Sequence, residues 1–186
     1  MQTLEDLRAD FELRSRRSLS LPIAGAVVWA VIAVCGFVLP QRLATYALLF
    51  GTGAIFPIAM GIAAARSEQL VSNTNPLAKL MGACVLMVNL LWALHIPLAL
   101  RAPVFVPLSV GIGLGLHWVV YSWITRSNVG YVHAIARTIA VLLAWWVFQD
   151  NVVTACATAV VLVYMHSVYV MATRPIRPQK VVQDVG

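Results

Sequence analysis

This sequence is poor in charge. Only 11% of its 186 residues are Asp, Glu, Lys or Arg, against 61% hydrophobic, and mean hydropathy is +0.85. Soluble domains carry about 25% charged and about 45–50% apolar residues. This mixture cannot build a water-facing surface, so the expected solvent is lipid. Acids number seven, and none falls inside a long apolar run. A Ser-His-Asp hydrolase would lack its buried acid there. Three cysteines, Cys35, Cys84 and Cys156, stand apart in apolar runs without a CxxC pair, which argues against a disulfide framework or a thiol relay. The four histidines, at 95, 117, 133 and 166, show no HxxxH spacing and have no accompanying carboxylate. No catalytic zinc centre of the usual kind is expected, and no cofactor. The first residues mix acids with arginines and lack a small-residue cleavage site, so no cleavable signal peptide is expected. The Gly111-Ile112-Gly113-Leu114-Gly115 run follows no strand, which excludes a nucleotide loop and leaves close helix packing as its reading.

What the sequence does hold is apolar length. Six runs, at 20–39, 43–65, 77–100, 103–125, 130–148 and 152–172, approach or exceed the roughly 20 residues a spanning helix needs. They are too long and too unalternating for barrel strands. Eleven Lys and Arg fall on one side of the resulting topology, and only Arg42 and Arg101 on the other. The positive-inside rule then predicts an all-α, multi-pass inner (plasma) membrane protein with both termini in the cytoplasm. Its six helices would form three tight hairpins. So strong a bias disfavours an antiparallel dimer and admits a parallel homodimer. The basic residues read as orientation signals and contacts to anionic lipid headgroups rather than as a nucleic-acid surface.

Three regions follow. Residues 1–19 are expected to form a cytoplasmic amphipathic segment. Thr3 would cap it with Asp6 three residues on, and Leu4, Leu7 and Phe11 share a face that reads as an interfacial anchor. Residues 20–173 form the transmembrane domain. Residues 174–186, with Pro175 and Pro178, read as a disordered cytoplasmic tail.

Polar side chains inside a span are costly and usually face the bundle interior or a wet cavity. Arg137 lies about 18 Å from the outer end of its span, close to the midplane, and Asn89 lies at the same depth. His117 and His166 lie about 22 Å in, with Tyr164 between these levels. Ser109, Gly113, His117 and Tyr121 step along one side of span 4. His133, Arg137, Ala140 and Ala144 do so on span 5, and Thr154, Thr158, His166, Tyr169 and Thr173 on span 6. Small and polar stripes mark helix contacts in lipid. The expected ligand-binding set is therefore Asn89, His117, Tyr121, Arg137, Tyr164 and His166. The competing reading for each His and for Asn89 is a hydrogen bond to a neighbouring helix and nothing more. His95 would satisfy the Ala93 carbonyl that Pro97 cannot serve. Pro57 and Pro107 should kink their helices. His133 reads as interfacial, and Trp29, Trp92, Trp145 and Trp146 as lipid-facing or packing residues. With no acid in any span, the permanent charge of Arg137 must be met by carbonyls, Asn or Tyr oxygens, water or a bound anion.

Asn75-Pro76-Leu77-Ala78-Lys79-Leu80, then Asn89, then His117-x-x-x-Tyr121-x-Trp123 resemble the motifs of an uncharacterised family of bacterial six-span integral membrane proteins. The likeness runs from the amphipathic segment through all six spans. It implies a fold and names no substrate. The combined expectation is transport or binding of a small anionic or amphipathic molecule, such as a lipid, in an intramembrane cavity open to the cytoplasm. The alternatives are a non-transporting membrane module that assists a partner protein and, third, an intramembrane enzyme.

Overall fold

Among the described residues three of the six apolar runs are broken, so the six are realised as nine helices, with a tenth before them. A computed structural model describes residues 2–70 and 74–174, and contains no strand among them. The expectation for a tail beyond Arg174 lies outside the described residues. The helices are α1 (Leu4–Ser15), α2 (Ser20–Val38), α3 (Gln41–Thr52), α4 (Ile55–Arg66) and α5 (Pro76–Leu90). They continue as α6 (Trp92–Arg101), α7 (Val106–Gly113), α8 (Trp118–Thr125), α9 (Val129–Val147) and α10 (Val152–Thr173). Among the described residues five stretches are long and apolar enough to cross a membrane, or six if α3 and α4, bent by 43° at their break, count as one span.

The breaks have local causes. Pro57 does not kink the middle of its helix; it occupies the first turn of α4, where its missing N–H leaves no bond unmade. The chain turns just before it, with Gly53 and Ala54 N–H bonded three residues back to Phe50 and Gly51. Pro107 sits in the first turn of α7 for the same reason, whereas Pro97 lies inside α6. Between α7 and α8 the residues Leu114–His117 leave the α-helix. There Gly115, Leu116 and Trp118 bond three residues back instead of four.

The centre of the bundle is α10, packed mainly against α2 and α9. Trp29, Ile32, Val141, Cys156, Ala157 and Val160 are buried there. α2 and α10 run antiparallel and close, because glycines of α2 meet side chains of α10. A Cβ on Gly25 would come within 2.6 Å of the Tyr164 ring, and one on Gly36 within 2.6 Å of Thr154 Oγ1. Gly25→Ala should therefore destabilise the bundle by about 1–3 kcal/mol through overpacking. A thermal unfolding midpoint in mild detergent that is unchanged would show the helices free to separate.

One end of the bundle collects α1, residues 67–70 and 74–75, the α8–α9 turn and the end of α10. The capping box at the start of α1 forms as expected: Asp6 N–H donates to Thr3 Oγ1 at 3.2 Å and Thr3 N–H to Asp6 Oδ2 at 2.8 Å. The Thr3 hydroxyl, donating to Asp6 Oδ2 at 2.7 Å, and the Thr3 N–H together hold the exposed Asp6 carboxyl below its usual pKa. α1 does not stand off as a free anchor. Glu5 pairs with Arg126 at 2.6 Å, Glu12 with Arg174 at 3.1 Å, and Arg8 donates to the Trp123 carbonyl at 3.1 Å. Asn75 Oδ1 caps α5 by accepting from Leu77 N–H at 2.8 Å, with Pro76 in the first turn. Its Nδ2 donates to the Leu7 carbonyl and to Asp10, both at 2.7 Å. Burial raises the Asp10 carboxyl, but bonds from Arg14 and Asn75 outweigh it and leave the group below its usual pKa. Phe11 of the expected apolar face is buried against the bundle at 5% exposure.

Candidate functional site: a buried arginine and a cavity beside it

Arg137 is fully buried, at 0% exposure. Its position on α9 faces the break between α7 and α8, and that break supplies its partner. In a continuous helix Gly115 N–H would bond the Gly111 carbonyl. Here it turns to Ile112, and the Gly111 carbonyl accepts from Arg137 Nε instead. Gly115 also makes the room, because a Cβ there would lie 2.8 Å from Arg137 Cδ. The guanidinium carbon lies 5.2 Å from the Trp29 ring centre and 5.4 Å from that of Tyr164, so aromatic faces rather than a carboxylate meet the charge. Neither Nη completes a hydrogen bond.

Next to this cage His133 is also fully buried, at 0% exposure, which corrects its expected interfacial place. Its ring stacks on Trp118 at 3.9 Å and 10°, and meets Tyr164 edge-on at 4.8 Å. Ser167 Oγ donates its only proton to the Val163 carbonyl at 2.9 Å. Its 2.8 Å contact with His133 Nδ1 must therefore be a bond donated by the ring. Trp29 is a core residue at 0% exposure. His95 does not serve the Ala93 carbonyl. It bonds Ser109 at 2.8 Å and so ties α6 to α7.

On the other side of Trp118 lies a cavity of about 310 Å³. α4 packs on α2, while α5 packs on α1 and α8, and the space between α4 and α5 is left unfilled. His117, Trp118 and Tyr121 form its α8 wall, and Leu21 and Pro22 come from α2. Phe56 comes from α4, and Ala78, Met81, Gly82 and Val85 from α5. Phe11 and Ser15 of α1 close the end. Phe56 and Gly82 are also exposed at the bundle surface, which marks the gap between α4 and α5 as the mouth.

The cavity has one ionisable acid, Glu68, in the turn after α4. Only 2% of its side-chain surface is exposed. Oε2 accepts from Ser20 Oγ at 2.6 Å and Ser20 N–H at 3.2 Å, and Arg66 approaches the same oxygen at 3.7 Å. Burial pushes the carboxyl above its usual pKa and outweighs the opposing effect of Ser20 and Arg66.

The expected site residues thus divide three ways. Arg137 and Tyr164 meet in the cage. His117 and Tyr121 line the cavity. Asn89 and His166 face outward: Asn89 is exposed and donates to the Val85 carbonyl of its own helix at 2.8 Å. His166 is exposed on α10, because it lies two residues, or about 200°, from the buried Tyr164. Neither lies in the cage or on the cavity wall. Glu68 and Trp118 were not expected. Nothing in the sequence around Glu68 marks it, because its burial depends on α1 folding back over the turn. Among the described residues no group of three or more His, Cys, Asp or Glu is placed to hold a metal ion.

Helices of spanning length packed around a buried cation, with a cavity between two of them, mark a polytopic helical membrane protein. The chain belongs to a family of unknown function, DUF7010, whose model matches residues 4–174. No curated protein and no solved structure matches it.

Proposed function

We propose that this is a six-span inner-membrane protein, with both termini and α1 on the cytoplasmic side, that binds a small amphipathic molecule in the cavity between α4 and α5. The observation that carries the reading is the cavity itself. It is apolar for most of its wall, has its polar groups Glu68, Tyr121 and His117 gathered with α1 at the basic end, and has its mouth on the side of the bundle. Ligand sites are typically apolar clefts of about 300–1,000 Å³ with a few placed polar groups. A molecule entering from the bilayer would keep its tail in contact with apolar surface and lead its head toward α1. Arg137 does not line this space, and aromatic faces meet its charge, which favours a structural role over an anion site. The arginine serves the fold, by tying α9 to the break in span 4.

Gly82 gives the test. It lies on the mouth, and a Cβ there would touch nothing within 4 Å. Gly82→Trp should plug the cavity with no loss of thermal stability. The probe is a phosphatidylcholine with a diazirine on its acyl chain, in nanodiscs, with crosslinks mapped by mass spectrometry. Labels should concentrate on Phe56, Met81, Val85 and Met171 and fall about tenfold in the plugged variant. Labels spread evenly over outward residues such as Phe50 and Leu86 in both proteins would overturn the reading. A stably co-purifying membrane partner, indifferent to the plug, would replace it with the partner-module alternative.

A further inference from the structure

We propose that the head of the ligand is a cation, and that Glu68 is its counter-charge. The inference rests on the cavity reading above and adds the sign of the ligand. Every side-chain bond shown for Glu68 runs to Oε2, yet the side chain lines the cavity, so the other oxygen is left for an occupant. A buried carboxylate is costly unless paired. Its resident cation, Arg66, stands 3.7 Å away with 36% of its side chain exposed, and it is absent from the cavity wall. Other described charged groups at this end have partners of their own: Arg14 pairs with Asp10 at 2.7 Å, and Arg17 donates to the Ala172 carbonyl at 2.7 Å. Arg174 pairs with Glu12 at 3.1 Å and reaches the Tyr121 hydroxyl at 3.5 Å. Arg8 and Arg126 are bonded to Glu5.

The walls point the same way. Trp118, Tyr121, Phe11 and Phe56 present aromatic surface to the same space, and aromatic faces attract cations, quaternary ammonium groups above all. An anionic head would meet a carboxylate of like sign, and among the described residues no cation lines the wall to offset it. The class of ligand is therefore an amphipathic organic cation: a hydrophobic amine or onium ion, or a lipid with a cationic head.

The described titratable and charged groups around the polar end are Glu68 and Arg66 between α4 and α5, Tyr121 of α8 and His117 just before it, Asp10, Glu12 and Arg14 of α1, Arg17 after α1, and Arg174 at the end of α10. Of these Glu68 is the one acid on the cavity wall. Its carboxyl titrates above the usual range. Cation binding should be complete where Glu68 is ionised and be lost as pH falls through that raised value.

The experiment compares two ions of one shape and opposite sign, tetraphenylphosphonium and tetraphenylborate. Binding to the full chain in nanodiscs is measured by equilibrium dialysis, with empty nanodiscs subtracted. The phosphonium should bind the wild type at least about tenfold more tightly than the borate, and Glu68→Gln should remove that preference. Glutamine keeps an acceptor for Ser20, so its unfolding midpoint should match or exceed the wild type. Glu68→Asp, which keeps the charge, should retain the preference and the pH profile. If the borate binds as well as the phosphonium, or Gln at 68 leaves the preference intact, the cationic class is wrong while the cavity reading survives. If neither ion binds and lipid crosslinks are also spread evenly, the cavity reading itself fails.

Discussion

Arg137→Ala is expected to destabilise the bundle by about 2–5 kcal/mol, the range for emptying a large buried side chain. Three consequences combine. A void opens between α9, α2 and the break in span 4. The faces of Trp29 and Tyr164 lose the group they pack on. The Gly111 carbonyl, already deprived of its helical donor, loses its replacement, and an orphaned buried acceptor costs about 1–3 kcal/mol. Arg137→Met separates these effects. It fills most of the space and removes a buried charge whose Nη groups lack hydrogen bonds, which offsets the orphaned carbonyl. Methionine should therefore recover much of what alanine loses, read as unfolding midpoints in the same detergent. If methionine is as damaging as alanine, the charge rather than the packing holds the helices. If both bind phosphonium poorly while folding normally, Arg137 belongs to the ligand site after all.

Trp118→Ala should cost about 3–5 kcal/mol and also change the shape of the cavity. The indole is 4% exposed. It stacks on His133 and meets Tyr121 and Tyr164 edge-on at 5.6 and 6.1 Å, so it is the wall between the cavity and the polar core. Aromatic pairs add about 0.5–1.5 kcal/mol to simple burial. Trp118→Phe keeps one ring for the stack and should lose less. In a Trp118→Ala protein that survives purification, acyl-chain crosslinks should extend to His133 and Tyr164, which the intact wall excludes. Unchanged stability and an unchanged crosslink map would show that the indole separates nothing.

The sequence was legible where one-dimensional rules suffice. Apolar length located the runs, the Thr3–Asp6 and Asn75-Pro76 signals located helix starts, and the stripe of His133 and Arg137 faces inward. It was illegible where phase and tertiary closure decide. The stripe of Ser109, Gly113, His117 and Tyr121 assumes an unbroken helix, but Leu114–His117 tighten and rephase it. Ser109 therefore meets His95 while His117 and Tyr121 reach the cavity. On α10 the stripe through Thr158, His166, Tyr169 and Thr173 is a real face, but it is the outward one. A periodic pattern fixes which residues share a side without saying which side is buried. Tyr164, placed with His166 by depth alone, belongs to the opposite side. Glu68 and Phe11 acquire their places only when α1 folds back on the bundle, a contact between segments more than fifty residues apart.

The division between a structural cation and a separate ligand cavity is tested most directly by an experimental structure of the chain in a lipid nanodisc with tetraphenylphosphonium bound. The account predicts density for the probe between α4 and α5, against Glu68 and the α8 wall, with the Arg137 cage closed and unchanged. Probe or lipid-phosphate density beside the Arg137 guanidinium, with the α4–α5 gap filled by protein side chains, would contradict it.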